Sequence, residues 1–437
     1  MALQSLVDAL RTVPVARDDD SRLDQIRLLE QLRSVSAAVQ ARVTAAFVAS
    51  QRDAQRAKGV PESRVGRGIP AQVALARRIS PFRAARYVNW VMTATGELPG
   101  TFSALERGET SEWRAILVAR ETTFLSREDR LAVDREVATR LAGWGDRRVE
   151  AETKKLAYRL DPAGFVERLR NAEADRRVSL RPAPDTMCRL TVLLPAPQGV
   201  AAYTALKRHA DTRVGLGDPA GRTRDQVMVD TLVERVTGQA GAGDVPVEVN
   251  VLITDTALFG DPNADEPDGH AAPDPAADAR VDEPAQLLDL GPVPAEVVRR
   301  WVGGASPETP MWIRRLYRHP DTGQLVTMDS RRRCFTPAQR LFIRLRDQRC
   351  RTPWCDAPIR HADHVVPHDD GGPTRIDNGQ GYCRACNYSK EAPGWRTEPG
   401  AEPGEITIVT PTGRRFRHQP PQPPGAGARR RRRRSVA

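Results

Sequence analysis

The chain has 437 residues, 40% of them hydrophobic and 28% charged, with a formal net charge of +11. That length suggests two or three domains, and that apolar content supports a core. No apolar run approaches the roughly 18 residues of a membrane span. The start, MALQSLVDALRTVPVARDDD, lacks the basic and apolar regions of a secretory signal, so the expected location is the cytoplasm. The charge is uneven. Residues 331–437 hold 22 Lys and Arg against 10 Asp and Glu, a net of +12, which leaves the first 330 residues at −1. A basic end of this kind is the electrostatic footprint of a polyanion binder. The five lysines among 67 basic residues point to a codon bias, which explains Arg over Lys but not the gathering at one end.

Residues 1–20 read as a flexible leader. From Ser21 to about Gln55, Leu23, Ile26, Leu29, Leu32, Val35, Val39, Val43 and Phe47 recur at helical spacing. A break follows from Gly59 to Pro70. Ser80-Pro81, Ser126-x-x-Asp129 and Asp161-Pro162 carry helix-start chemistry. The segments 81–94, 111–123, 126–142, 145–158 and 162–177 predict helices joined by short turns. Near Arg181 the pattern changes. Cys188–Leu194 and Val245–Thr254 are short and β-branched and read as strands. With helices over 199–210 and 223–237, they predict a small sheet packed on the helical body. Residues 261–285, rich in Asp, Ala and Pro, read as a disordered insertion within a domain spanning 21–330. Gln324–Met328 reads as a strand. Thr336-Pro-Ala-Gln339 is a capping box that opens a helix to about Gln348. Residues 399–437 read as a tail ending in Arg429–Arg434.

Four of the six cysteines form two close pairs, Cys350-x4-Cys355 and Cys383-x2-Cys386. Two such knuckles offer four thiolates to one tetrahedral Zn²⁺. Four thiolates leave no open position for water, so this zinc is structural and contributes directly to folding. Cys188 and Cys334 stand alone and read as buried thiols. Between and after the pairs lie Asp363, His364, Asn378, Asn387 and Lys390. Phosphodiester hydrolysis needs an activated water and a metal that stabilises charge. His364 titrates near neutrality and suits the base. Asp363 and Asn387 offer hard oxygens, which favour Mg²⁺ or Mn²⁺. Successive strand side chains face opposite sides, so Asp363 and His364 share a site only through a bend or a neighbouring element. Asn378 is placed to orient the imidazole, although alone it reads as a turn residue. Lys390 follows Asn387 by three residues, on the same helical face, and is placed to neutralise a phosphate. His361 and His368 read as surface or supporting groups. Arg331, Arg332, Arg333, Arg340, Arg344 and Arg351 flank the segment as candidates for DNA-phosphate contacts. Arg429–Arg434 would add salt-dependent affinity.

The order Cys-x4-Cys, Asp-His, Asn, Cys-x-x-Cys-Asn-x-x-Lys resembles the zinc-ribbon branch of the HNH endonucleases, the ββα-metal fold. The resemblance implies His364 as general base, Asp363 and Asn387 as ligands of the catalytic divalent ion, and Asn378 as the residue that orients His364. Many relatives carry a metal-binding His where this chain has Asn387, which shifts the expected metal towards Mg²⁺. RTPWCDAPIRHADHVVP and GQGYCRACNYSKEAPGWR, with SEWRAILVARET, LAYRLDP and ADRRVSLRPAPDTM upstream, resemble a narrower bacterial group. These are HNH proteins with a helical N-terminal domain of unknown function (DUF222), including the 13E12-repeat proteins. The implied fold is α+β: a mostly helical N-terminal domain with a small sheet, then an HNH module at 331–398. The leading reading is a metal-dependent DNA endonuclease with catalytic Mg²⁺ or Mn²⁺ and structural Zn²⁺. Its rivals are a zinc-ribbon DNA-binding protein without catalysis, of mobile-element origin, and a nuclease acting on RNA. The nearly neutral helical domain leaves open partner binding, a homodimer through its helices, or a share in DNA contact.

Overall fold

The computed structural model describes residues 3–185, 187–239, 241, 251–252, 284–288, 291–303, 334–402 and 404–421. It divides into two units, one ending at Asn171 and the other beginning at Ala172. The strands expected over 245–250 and 324–328, residues 261–283 of the expected insertion, Arg331–Arg333 and Arg429–Arg434 lie outside the described residues.

The first unit is helical because 3.6-residue periodicity runs through it almost unbroken. Its helices are α1 (Leu3–Arg11), α2 (Asp19–Ala57), α3 (Ile69–Arg77), α4 (Pro81–Glu97), α5 (Pro99–Glu106), α6 (Glu112–Glu121), α7 (Arg127–Ala138), α8 (Asp146–Leu160) and α9 (Pro162–Ala174). The expected leader thus contains a helix: Leu3, Val7 and Leu10 recur at helical spacing, and all three are exposed. The long second helix forms where expected but buries a different stripe. Ser34, Ala38, Ala41, Thr44 and Val48 face the core, whereas Leu23, Ile26, Leu29 and Val43 are exposed. Small residues let neighbouring backbones approach, and Trp90, Val91, Leu98, Leu105, Val118, Val137 and Leu141 fill the space against them. The expected caps form: the Ser80 and Ser126 hydroxyls accept from Arg83 N at 3.3 Å and Asp129 N at 3.1 Å. Asp134, buried on α7, accepts from Gly100 N at 2.6 Å and Thr101 N at 2.8 Å, closing the first turn of α5 from a distance.

In the second unit β1 (Arg177–Pro182) and β2 (Cys188–Leu193) form an antiparallel hairpin. They belong with this unit and not with the helical one. Helices α10 (Ala196–Gly215) and α11 (Arg224–Thr237) follow, and a Thr223/Gln226 capping box opens α11. Strands β3 (Val251–Leu252), β4 (Ala285–Leu287) and β5 (Gly291–Val293) make a small antiparallel sheet. The last residue of the expected insertion, Ala285, is therefore a buried strand residue. Then come α12 (Ala295–Gly303), α13 (Pro337–Asp347), β6 (His361–His364), β7 (Gly379–Tyr382) and α14 (Arg384–Lys390). The chain does not end there in a loose tail. β8 (Arg396–Pro399), β9 (Ile406–Val409) and β10 (Arg415–His418) form a three-stranded antiparallel sheet with β9 central and fully buried. The apolar run ITIV supplies that central strand. Among the described residues no helix is long and apolar enough to cross a membrane.

Candidate functional site

Strands β6 and β7 pair antiparallel with His364 opposite Gly379 and Asp363 opposite Gln380. Helix α14 packs on β6, giving the ββ-α order. The first knuckle turns sharply: Trp354 and Asp356, at φ of 59° and 49°, bracket Cys355 in the left-handed region. The second is the start of α14, where Cys383 is the N-cap and its sulfur accepts from Cys386 N at 3.4 Å.

All four sulfurs are buried and lie within 4.8 Å of one another. Cys355 Sγ is 3.6 Å from both Cys383 Sγ and Cys386 Sγ. A tetrahedron with zinc–sulfur bonds of about 2.3 Å has edges of about 3.8 Å, so the four side chains fit a Zn²⁺. Their crowding also splits their proton affinities. Hydrogen bonding from Cys350, Cys355 and Cys386 holds the Cys383 thiol well below the usual range, and the same contacts push Cys386 well above it. Cys188 and Cys334, expected to be buried, are both exposed: neither sits on a packed face.

The remaining expected residues fall into two groups around β6. Alternation along β6 sends Asp363 and His364 to different surroundings. Asp363 faces α14, where the Lys390 ammonium is salt-bridged to its Oδ2, and Lys390 also donates to His364 O at 3.0 Å. Lys390 thus answers a carboxylate where a phosphate partner was expected. Asp363 Oδ1 accepts from His364 N at 2.8 Å. Asn387, one helical turn before Lys390, has its Oδ1 buried with no hydrogen-bond partner among the described residues. An unsatisfied buried carbonyl costs on the order of 1–3 kcal/mol unless something coordinates it. The Asp363 carboxylate, on the strand against which this helix packs, is likewise a hard oxygen donor.

His364 is buried. Its Nε2 lies 2.9 Å from Thr374 Oγ1, and its ring centroid lies 4.7 Å from that of Phe335 and 5.9 Å from that of His368. Asn378 supports it differently from the expectation. The Asn378 amide accepts from Val366 N at 2.9 Å and donates to Val366 O at 3.0 Å and Pro373 O at 2.9 Å. It therefore ties the loop that presents Thr374, and Thr374 meets the imidazole. That loop is tight: a Cβ on Gly372 would lie 2.0 Å from Val366 O. Gln380 donates to His364 O at 2.9 Å.

Of the basic candidates, Arg340 is exposed and Arg344 half-buried on α13. Arg351 is not a surface group: it is 1% exposed. It pairs with Asp347 at 3.2 Å, donates to His418 Nδ1 at 3.2 Å and reaches the carbonyls of Gly404 and His418. The reason is geometric, because its own N–H is bound to Gly381 O beside the zinc knuckle, which turns the side chain inward. Three supporting residues had no signal in the sequence, Phe335, Asp347 and Thr374, and Arg346, one of the arginines that flank the cysteine segment, braces the fold. Arg346 forks onto Ile376 O at 2.7 Å and Gly379 O at 2.6 Å, holding the turn that carries Asn378. Asp347, fully buried, accepts from Gly381 N at 2.7 Å. The backbone partners of Arg346 and Asp347 lie 30 to 34 residues away, beyond the reach of local pattern.

A four-thiol centre on a ββα frame, with Asp-His on the strand and Asn on the helix, defines an HNH-type nuclease module. Comparison with known families agrees. Residues 348–392 match the HNH endonuclease profile, and residues 27–347 match the domain of unknown function DUF222. The chain belongs to the DUF222 family and carries an HNH endonuclease domain, whose substrate class is nucleic acid. It is 27% identical over 383 residues to the Uncharacterized protein Rv3776 of Mycobacterium tuberculosis, an alignment that covers 80% of this chain and 70% of the relative. No solved structure matches the chain significantly.

Proposed function

We propose that the protein is a metal-dependent DNA endonuclease. His364 acts as general base on the attacking water, and Asp363 and Asn387 hold a catalytic Mg²⁺ or Mn²⁺. Cys350, Cys355, Cys383 and Cys386 hold the structural Zn²⁺. The observation that carries this reading is the unpartnered, buried Oδ1 of Asn387 on the helix that faces Asp363. The divalent ion, when bound, would stabilise negative charge on the phosphate and the leaving oxygen. Thr374 and Phe335 hold the imidazole, and Asn378 holds the loop that carries Thr374. Lys390, released from Asp363, is a cation placed to neutralise charge nearby. Arg340 and Arg344 are proposed to position DNA by its phosphates, as are Arg331, Arg332 and Arg333 before them. The folded module is proposed to run from Phe335 to His418, well beyond residue 398, because β8–β10 close over Arg351.

The test is cleavage of supercoiled plasmid by the purified full chain with Mg²⁺ or Mn²⁺. His364→Ala is expected to abolish cutting while DNA binding remains. A folded, zinc-loaded wild-type protein that cuts no DNA with any divalent ion would overturn this reading. One observation favours the rival, a DNA-binding module without catalysis: the Lys390 ammonium already neutralises Asp363. Lys390→Ala separates the two, because it frees Asp363 and should raise affinity for Mn²⁺ only if Asp363 is a ligand.

A further inference from the structure

We propose that His361, Arg384 and Tyr388 form a subsite for the nucleic-acid phosphate one nucleotide away from the bond that is cut. The proposal rests on the reading above, in which Asp363 and Asn387 mark the cut. His361 lies two residues before Asp363 on β6, so the two share a strand face about 6.7 Å apart. That is the order of separation between successive phosphates of one strand. On α14, Arg384 lies three residues before Asn387 and four before Tyr388, which puts all three on one side of the helix. The strand and the helix thus extend the same surface in the same direction, away from Lys390.

The side chains converge there. The Arg384 guanidinium lies 5.6 Å from the Tyr388 ring centroid, and the His361 ring centroid lies 6.2 Å from that of Tyr388. Tyr388 is 45% exposed, unusual for so large a ring beside a buried metal knuckle. Arg384 is exposed and makes no ion pair among the described residues. By contrast, Arg351, equally adjacent to a cysteine, and Arg346, four residues before Cys350, are consumed by Asp347. A guanidinium fork, a phenol and an imidazole all donate hydrogen bonds, and no carboxylate stands among the three. The ligand of this chemistry is a phosphodiester, and the stacked ring keeps the guanidinium oriented towards it.

The test measures binding of a fluorescein-labelled, random-sequence DNA duplex to the full zinc-loaded chain without divalent ion, over a range of salt. Arg384→Gln is expected to weaken binding about fivefold, the size of one surface charge contact. It should also flatten the dependence of log K on log salt by about 0.9, as loss of one phosphate contact requires. Tyr388→Phe should weaken binding about twofold with the salt dependence unchanged. In cleavage with Mg²⁺, KM should rise in both variants by the same factors as Kd. Wild-type affinity and wild-type salt dependence in Arg384→Gln would overturn the subsite. Because the binding arm needs no catalysis, a chain that binds but never cuts sinks the nuclease reading and the placing of the subsite beside a cut, while the phosphate contact itself stands or falls with the Arg384→Gln binding result. Unchanged zinc content in both exposed variants guards against a folding artefact.

Discussion

In the helical unit the largest fully buried side chains are hydrocarbon: Ile69, Leu75, Leu98, Leu105, Leu117 and Leu141. In the nuclease module Arg351, Asp347 and Gln380 are as deeply buried as Ile343 and Tyr382, and four buried thiols lie in the same module. One unit hides hydrocarbon, which attracts without direction. The other hides charge and sulfur, which hold only when every partner is in place. The difference teaches how to read basic residues in a module that buries charge beside its apolar side chains. An arginine beside a metal knuckle serves as readily to brace the fold as to grip a ligand.

The sharpest way to break this contrast is to remove the metal centre. Cys383→Ser, or a strong chelator, is expected to unfold the module completely while the helical unit keeps its circular-dichroism signal, since structural zinc contributes on the order of 10 kcal/mol. Normal zinc content and an unchanged melting profile would show that the module has a core of another kind. Next in size is Arg351→Met, which leaves Asp347 buried beside one fewer cation and should cost about 3–5 kcal/mol in denaturant unfolding of the module. A lost salt dependence of DNA binding in the folded fraction would return Arg351 to the surface role that its burial denies.

His418 gives a smaller effect with a definite sign. Burial, and then the neighbouring Arg351 guanidinium, push its pKa down from 6.5 to about 4. The unfolded chain therefore takes up the proton first as pH falls. Stability is fully present above about 6.5, declines between 6.5 and 4, and levels off below. The loss should be about 2 kcal/mol, after allowance for the ring's partial exposure. Thermal melts of the module over that window should show it, and His418→Gln should flatten it. The smallest effect belongs to the helical unit. Asp134→Ala removes the cap of α5 and should cost about 1–2 kcal/mol there, with zinc content unchanged. Zinc loss in that variant would mean that the two units do not fold independently.

The two units were legible in different degrees. In the helical unit, caps such as Ser80-Pro81 and Ser126 located helix starts to within a residue or so, because capping is local chemistry. The face that each helix buries was less legible. Leu23, Ile26 and Leu29 have the right period, yet nothing in their neighbourhood says that no element covers them. Short helices such as α5, opening with Pro99-Gly100, were hidden because their first turn is capped by Asp134, 33 or 34 residues away. In the module, cysteine spacing located the four-thiol centre, because two close pairs can meet at one point. Supporting roles were not legible. Asn378 acts through Thr374, Lys390 meets Asp363, and Arg351 turns inward to partners that lie as far on as His418.

That last contact sets an order on synthesis. Gly404 and His418, which close over Arg351, leave the ribosome after every zinc ligand and every candidate catalytic residue. A chain stopped short of His418 therefore carries all the nuclease side chains but leaves a guanidinium half-compensated in the interior. The helical unit, made first, has time to fold alone. The module is complete only once the chain has been made as far as His418.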